Sequence, residues 1–218
     1  MIRLSATQVE AIEYAMAHET AIAQPGTRDL AERLAHVAPA TPAMERGKAF
    51  HAWLEQGGPP GQVRFGPGAG WIASEIPAIR PYCREVKTTR DLVDLDGEQI
   101  TLSGVADGIV GRRIVEFKTT AKKPDPTRYY DHFQWRAYLA LWPDCTAVDY
   151  HVFQIAGEET MEIRDYAHAT YHRYGVLEDD VEERLYAAKL EVAWLIAEGW
   201  LSSDPDTGRL RPGERLEA

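Results

Sequence analysis

Glu116 and Lys118 lie two residues apart in the run Arg113–Thr119, whose neighbours are β-branched or aromatic. Strand side chains alternate faces, so these two project together while Val115 and Phe117 point the other way. Asp107 interrupts the preceding strand pattern just before Gly108. A hairpin turning at Gly111-Arg112 would bring the carboxylates of Asp107 and Glu116 to one end of a sheet. Two converging carboxylates make a hard, oxygen-rich site that suits Mg²⁺ or Mn²⁺ better than zinc. A lysine alongside can align an attacking water or stabilise charge on a phosphate. A divalent ion lowers the pKa of its bound water and neutralises the scissile phosphate. Metal, acids and lysine together describe phosphodiester hydrolysis by water. A Glu-x-Lys triplet alone is more often a solvated strand face, so its surroundings decide its weight.

Those surroundings hold four motifs in order: Gly47-Lys48-Ala49-Phe50-His51 followed by Leu54-Glu55, then Gly104-Val105-Ala106-Asp107, Glu116-Phe117-Lys118-Thr119 and Gln134-Trp135-Arg136-Ala137-Tyr138. The series resembles the PD-(D/E)XK nucleases, in particular the branch like the RecB nuclease domain and the CRISPR-associated exonucleases. Leu4–Gln8 is similar to the start of that branch's first helix, and the resemblance spans residues 4–155. It implies an α/β (α+β) restriction-endonuclease-like core, a central mixed sheet flanked by helices. By resemblance His51, Asp107 and Glu116 would be ligands of Mg²⁺ or Mn²⁺, with the carbonyl of Phe117 completing the protein's share. Lys118 would be the catalytic lysine. Gln134 and Tyr138 would hold the lysine and the DNA backbone; their i, i+4 spacing puts both on one helix face. An imidazole ligand would shift preference toward Mn²⁺, whereas a histidine between Phe50 and Trp53 can also be a plain, partly buried side chain. Glu75 is either a further carboxylate near the metal or a surface edge charge.

Ala106 stands where the family often has proline, a position that ligates nothing. With two cysteines, Cys83 and Cys145, the chain cannot build the four-cysteine iron–sulfur cluster of some relatives. Gly47-Lys48 lacks the upstream glycine and following Ser/Thr of a phosphate-binding loop, so no nucleotide cofactor is expected. The function implied is a metal-dependent DNA nuclease, an exonuclease acting at DNA ends in recombination or repair, in a setting that includes phage genomes. A structure-specific or sequence-specific endonuclease on the same core, or a non-catalytic DNA-binding scaffold, are the alternatives. A recombination or repair partner protein, or a ring-shaped homo-oligomer, would fit the family.

Charge argues the other way. The chain of 218 residues carries a net −10, which repels nucleic acid at long range. The distribution is uneven: Arg112–Arg136 holds seven cations against three acids, a local +4, leaving −14 elsewhere. Arg112, Arg113, Lys122, Lys123, Arg128 and Arg136 are therefore either phosphate contacts or solvated charges. Tyr129, Tyr130, His132 and Trp135 beside them either stack on unpaired bases or belong to the core. The two cysteines read as inert core thiols. No run of about 18 apolar residues exists to cross a membrane, and MIRLSATQVEAIEY lacks the layout of a secretory signal. A reducing, cytoplasmic setting is expected.

The positioning elements follow from periodicity. Residues 4–18 read as a helix with Ser5 and Thr7 as candidate caps, Arg28–Val37 as a short helix, and 44–56 as a helix burying Met44, Ala49, Phe50, Trp53 and Leu54. Residues 57–70 read as a Gly/Pro loop. Strands are expected over Trp71–Ile79, Tyr82–Thr88, Asp91–Asp94, Gln99–Val110 and Arg113–Thr119, with turns at Asp96-Gly97 and Gly111-Arg112. A helix over Asp131–Trp142 stops at Pro143, a strand follows over Ala147–Ile155, and another is possible over Glu159–Asp165. Residues 166–174 and 178–199 read as helices, the latter with Val181, Leu185, Val192, Leu195 and Ile196 inward. The expected organisation is one domain over 1–201, with N-terminal helices in 4–38, a core in 44–155, C-terminal helices in 166–199 and a loose tail over 202–218.

Overall fold

The chain enters the fold through a strand that hands over to a helix at Ser5. In a computed structural model, which describes residues 2–18, 24–56, 63–73, 76, 85–93, 96–157 and 161–217, β1 is Ile2–Ser5 and α1 is Ala6–His18. Ser5 Oγ accepts from the Gln8 N–H at 3.2 Å, and Gln8 Oε1 accepts from the Ser5 N–H at 2.8 Å. This reciprocal pair satisfies two helix-start donors. Ser5 is thus the cap, and Thr7 lies inside the helix.

Next come α2 (Gln24–Leu34), α3 (Pro42–Gln56), β2 (Val63–Phe65), β3 (Val86–Val93), β4 (Gln99–Ala106), β5 (Gly108–Val110) and β6 (Arg113–Thr120). A 3₁₀ turn over Pro126–Tyr129 and helix α4 (Phe133–Leu141) lead to β7 (Ala147–Ala156) and β8 (Met161–His172). Helix α5 (Leu177–Ala197), β9 (Leu201–Ser203), β10 (Leu210–Pro212) and α6 (Glu214–Glu217) complete the described chain.

Two mixed sheets carry these elements. One has the order β1-β4-β3, the other β2-β8-β7-β6-β5. In the first, β1 runs parallel and β3 antiparallel to β4. In the second, β6 and β7 are parallel, and β5/β6 and β7/β8 are antiparallel. β4 and β5 form one extended run broken at Asp107, where the chain leaves one sheet and joins the other. Parallel neighbours need a crossover connection, and α4 supplies it between β6 and β7. The mixed sheet flanked by helices is compatible with the expected restriction-endonuclease-like core.

Each face of the second sheet has its own apolar cluster. Leu102, Ile114, Tyr138, Val148, Tyr150 and Val152 join α1 and α5 on one side; Phe50, Leu54, Val115, Phe117 and Phe153 lie under α3 on the other. Burying each such side chain contributes roughly 1.5–3 kcal/mol. Two glycines let the helices come close. A Cβ on Gly47 would meet Thr119 Oγ1 at 3.3 Å, and one on Gly104 would meet Leu141 Cδ1 at 2.5 Å and the Tyr138 ring at 3.2 Å. Gly47 therefore seats α3 on β6, and Gly104 seats α4 on β4.

Several local expectations change. Ile2–Ser5 is strand, because its backbone pairs with Ile100–Ser103. Met44 and Ala49 face solvent, since only Phe50 and Leu54 of α3 are fully buried. Val63–Phe65 is a strand inside the expected loop, held by β8. Residues 72–73 and 76 are helical where a strand was expected. Residues 166–172 belong to β8, not to a helix, because they complete the antiparallel ladder with Ala147–Phe153. The segment after Ser202 forms the β9–β10 hairpin, with Leu201 and Leu210 buried. Glu75, Cys83 and Asp94 lie outside the described residues. Cys145 is buried. Among the described residues no helix is long and apolar enough to cross a membrane.

Candidate active site

The β5–β6 ladder pairs Gly108 with Val115 and Ile109 with Ile114, so Asp107, one step on, reaches the level of Glu116. Asp107 Oδ2 accepts from the Phe117 N–H at 2.7 Å, which fixes the carboxylate against β6. Its Oδ1 lies 3.3 Å from His51 Nδ1. His51 comes from the opposite face, on α3, where its ring meets the Phe117 ring edge-on at 6.4 Å.

On the α4 face a second network forms. Lys118 Nζ donates to Glu116 Oε1 at 2.8 Å and to Gln134 Oε1 at 2.6 Å. Gln134 Nε2 donates to Glu116 Oε1 at 3.1 Å and to the Tyr138 hydroxyl at 2.7 Å. Tyr138 in turn donates to the Val105 carbonyl at 2.6 Å. The Lys118 ammonium also sits 5.7 Å from the centre of the Tyr150 ring. The alternation along β6 accounts for this division: Val115 and Phe117 pack under α3, while Glu116 and Lys118 meet α4.

Burial pushes the Glu116 carboxyl up to about 7; Lys118 opposes the shift and the Asp107 charge adds to it. Burial acts to lower Lys118, but Glu116 outweighs it and keeps the ammonium charged. Burial likewise acts to lower His51, yet the bond to Asp107 and the charges of Asp107 and Glu116 hold its pKa above the usual imidazole value. Tyr138 is raised by burial and then by Glu116, so its hydroxyl stays a donor.

Glu116 Oε2 is buried and has no hydrogen-bond partner. A buried carboxylate oxygen left unpaired is costly, and a cation shared with Asp107 would satisfy it. Among the described residues no three His, Cys, Asp or Glu side chains converge to hold a metal ion by themselves. The reason is geometric: His51 reaches Asp107 from the far face and makes no bond to Glu116. Mg²⁺ is ordinarily held by one or two carboxylates, with waters and substrate phosphates supplying the remainder. The Asp107–Glu116 pair fits that donor set, so the residues present are compatible with such an ion.

Glu116, Lys118, Gln134 and Tyr138 line a cleft of about 580 Å³. Its walls come from β1, the start of α1, β3 and β4: Arg3, Ser5, Thr7, Lys87, Thr88, Thr89 and Ser103. Neither His51 nor Asp107 lines it. Among the described residues Glu116 is its one acid, against the cations Arg3, Lys87 and Lys118. These wall residues were not candidates from sequence, since nothing in their spacing links them to β6.

Apart from Lys118, the basic residues of the 112–136 window are dispersed and none of them lines the cleft. Arg113 is paired with Asp149 and donates to Thr170. Arg136 is buried, donating to the carbonyls of Tyr130 and His132 and pairing with Asp180. Its guanidinium is a strut inside the fold rather than a surface contact. Arg112 donates to the Asp144 carbonyl at 2.8 Å, and Lys122, Lys123 and Arg128 are exposed. Tyr129 and Trp135 are core side chains, stacked on Tyr150 and Tyr171. Tyr130 is exposed and His132 half-buried.

No protein-family model matches the chain, and no curated protein matches it in sequence. Solved structures do match in fold. The crystal structure of SSO0001 is 13% identical, with 87% of this chain and 76% of that one covered at a TM-score of 0.52. LHK-Exo in complex with dAMP is 16% identical, with 89% and 92% covered at 0.41. A provisionally assigned exonuclease from Eubacterium rectale is 12% identical, with 89% and 80% covered at 0.45. At these identities the first likeness concerns fold alone, and the other two scores are too low to carry an argument.

Proposed function

We propose that this protein is a metal-dependent deoxyribonuclease that hydrolyses phosphodiester bonds, acting as an exonuclease at DNA ends. The observation that carries the reading is the buried Glu116–Lys118–Gln134 network, with an unpartnered Glu116 oxygen, at the floor of a cleft walled by Arg3 and Lys87. Burial raises the Glu116 carboxyl, and acids perturbed by burial beside a charge partner in a cleft cluster at functional sites. Fold alone does not establish activity. The exonuclease mode, and a role beside a recombination or repair partner, rest on the family resemblance of the motifs.

Asp107 and Glu116 would hold Mg²⁺ or Mn²⁺, with the Phe117 carbonyl as a further donor and His51 orienting Asp107 through its 3.3 Å contact. Bound there, the ion would supply Lewis acidity and a water of lowered pKa. Lys118 holds its ammonium toward the cleft, where it stabilises negative charge on the phosphate. Gln134 keeps the lysine in place, and Tyr138 keeps Gln134 in place by anchoring to the Val105 carbonyl. Arg3, Lys87 and the hydroxyls of Ser5, Thr7, Thr88 and Thr89 offer donors to phosphate oxygens along the cleft.

The test is digestion of end-labelled linear and circular DNA, single- and double-stranded, with Mg²⁺, Mn²⁺ or EDTA. Linear DNA should be degraded with either ion, circular DNA should survive, and EDTA should abolish the reaction. Cleavage of circles would move the reading to an endonuclease. Failure on every substrate would remove the nuclease reading.

A further inference from the structure

The cleft continues beyond Ser5 and Ser103. A second cavity, of about 260 Å³, shares Arg3, Ser5 and Ser103 with it and adds Gln8, His36 and Arg209. Two arginines and a histidine line it, and no acidic side chain does among the described residues. In a chain of net charge −10 that composition is unusual. Among the described residues no carboxylate pairs with Arg3, His36 or Arg209.

Three separate parts of the chain are bonded together to make this cavity. The Arg3 N–H donates to the Gly208 carbonyl at 2.9 Å, which draws the β9–β10 hairpin, and Arg209 with it, against β1. Buried Gln8 donates to the Leu34 carbonyl at 2.6 Å and so ties the end of α2 to α1. His36 follows that end at φ +58°, a left-handed conformation that few non-glycine residues adopt. The backbone thus turns at a residue where glycine would be the unstrained choice, and an imidazole stands there instead.

We propose that this cavity is a second phosphate site, taking a backbone phosphate of a single strand that runs from the cleavage cleft past Arg3 toward the β9–β10 hairpin. The strand as the source of the phosphate rests on the nuclease reading. The phosphate chemistry rests on the cavity alone: arginine forks match phosphate oxygens, and a charged groove tracks a backbone. The C-terminal hairpin then has a binding role, holding the strand beyond the cleavage cleft.

The variant to test is Arg209→Gln combined with His36→Gly. Glycine accepts φ +58° without strain, so the fold holds, and circular dichroism checks this. Anisotropy in EDTA measures binding of labelled single-stranded 20-mers and trimers across a salt series, and calorimetry measures binding of inorganic phosphate. Trimer cleavage in Mn²⁺ is followed separately. The double variant should bind the 20-mer about fivefold to tenfold more weakly, with the salt slope reduced by about one. Trimer binding and cleavage should not change. An unchanged 20-mer affinity and slope would overturn the proposal. Loss of inorganic phosphate binding in the variant, with 20-mer binding intact, would overturn the strand and leave a free-anion site. A protein that holds the 20-mer through Arg209 yet cleaves nothing would sink the nuclease reading and uphold this site.

Discussion

Gln134 Oε1 accepts from Lys118 Nζ at 2.6 Å, so helix α4 holds the lysine of β6 at a fixed height above the cleft. Replacing Gln134 with Ala leaves that ammonium held by Glu116 alone and Tyr138 with its bond to Val105 alone. The expected result is a fall of about tenfold or more in kcat with KM little changed, and a stability cost of about 1–2 kcal/mol. Steady-state cleavage kinetics and urea unfolding check both halves.

Glu116→Gln and Lys118→Met should separate activity from stability. Gln at 116 keeps an acceptor for Lys118, whose side chain is 24% exposed, so cleavage is abolished at a smaller stability cost than loss of the lysine. Met at 118 strands the buried carboxylate without its counter-charge and costs about 3 kcal/mol. Paired melting curves and cleavage assays would show the split. Equal destabilisation by both would contradict the electrostatics described for this pair.

Gly104→Ala places a methyl 2.5 Å from Leu141 Cδ1 and against the Tyr138 ring. Both neighbours are buried, so overpacking of about 1–3 kcal/mol is expected. Because Tyr138 anchors Gln134, activity should fall with stability. Wild-type stability in this variant would mean that α4 seats on β4 with slack.

Acid should destabilise the β7–β8 region through Asp149. Burial works to raise its carboxyl, but the bonds from His168, Arg113 and Thr170 outweigh this and hold it well below the usual carboxylate range. A depressed folded pKa contributes stability that is present above the unfolded value of about 3.9 and lost as pH falls below it. The melting temperature should therefore drop steeply below pH about 4. Asp149→Asn should be less stable at neutral pH and flatter in that acid range.

Much of the site was legible in the sequence because it follows from strand periodicity. The alternation over Ile114–Lys118 and the turn at Gly111-Arg112 place Asp107 near Glu116, and the i, i+4 spacing of Gln134 and Tyr138 puts both on one face of α4, where Gln134 meets Lys118. What escaped depends on pairing across long separations. Ile2–Ser5 becomes a strand only because β4 lies beside it, and residues 166–172 only because β7 does. The 112–136 window has the right charge sum, but charge along a sequence does not say which way side chains point. Arg136 turns inward to carbonyls and Asp180, while Arg3 and Lys87, far away in sequence, wall the cleft.

The central claim, that Asp107 and Glu116 share a divalent cation, is tested most directly by calorimetric titration of Mn²⁺ into the wild-type protein, Asp107→Asn and Glu116→Gln. The wild type should bind Mn²⁺ with a defined stoichiometry, and each variant should bind about tenfold or more weakly. No Mn²⁺ binding by the wild type, or variants that bind as it does, would contradict the claim.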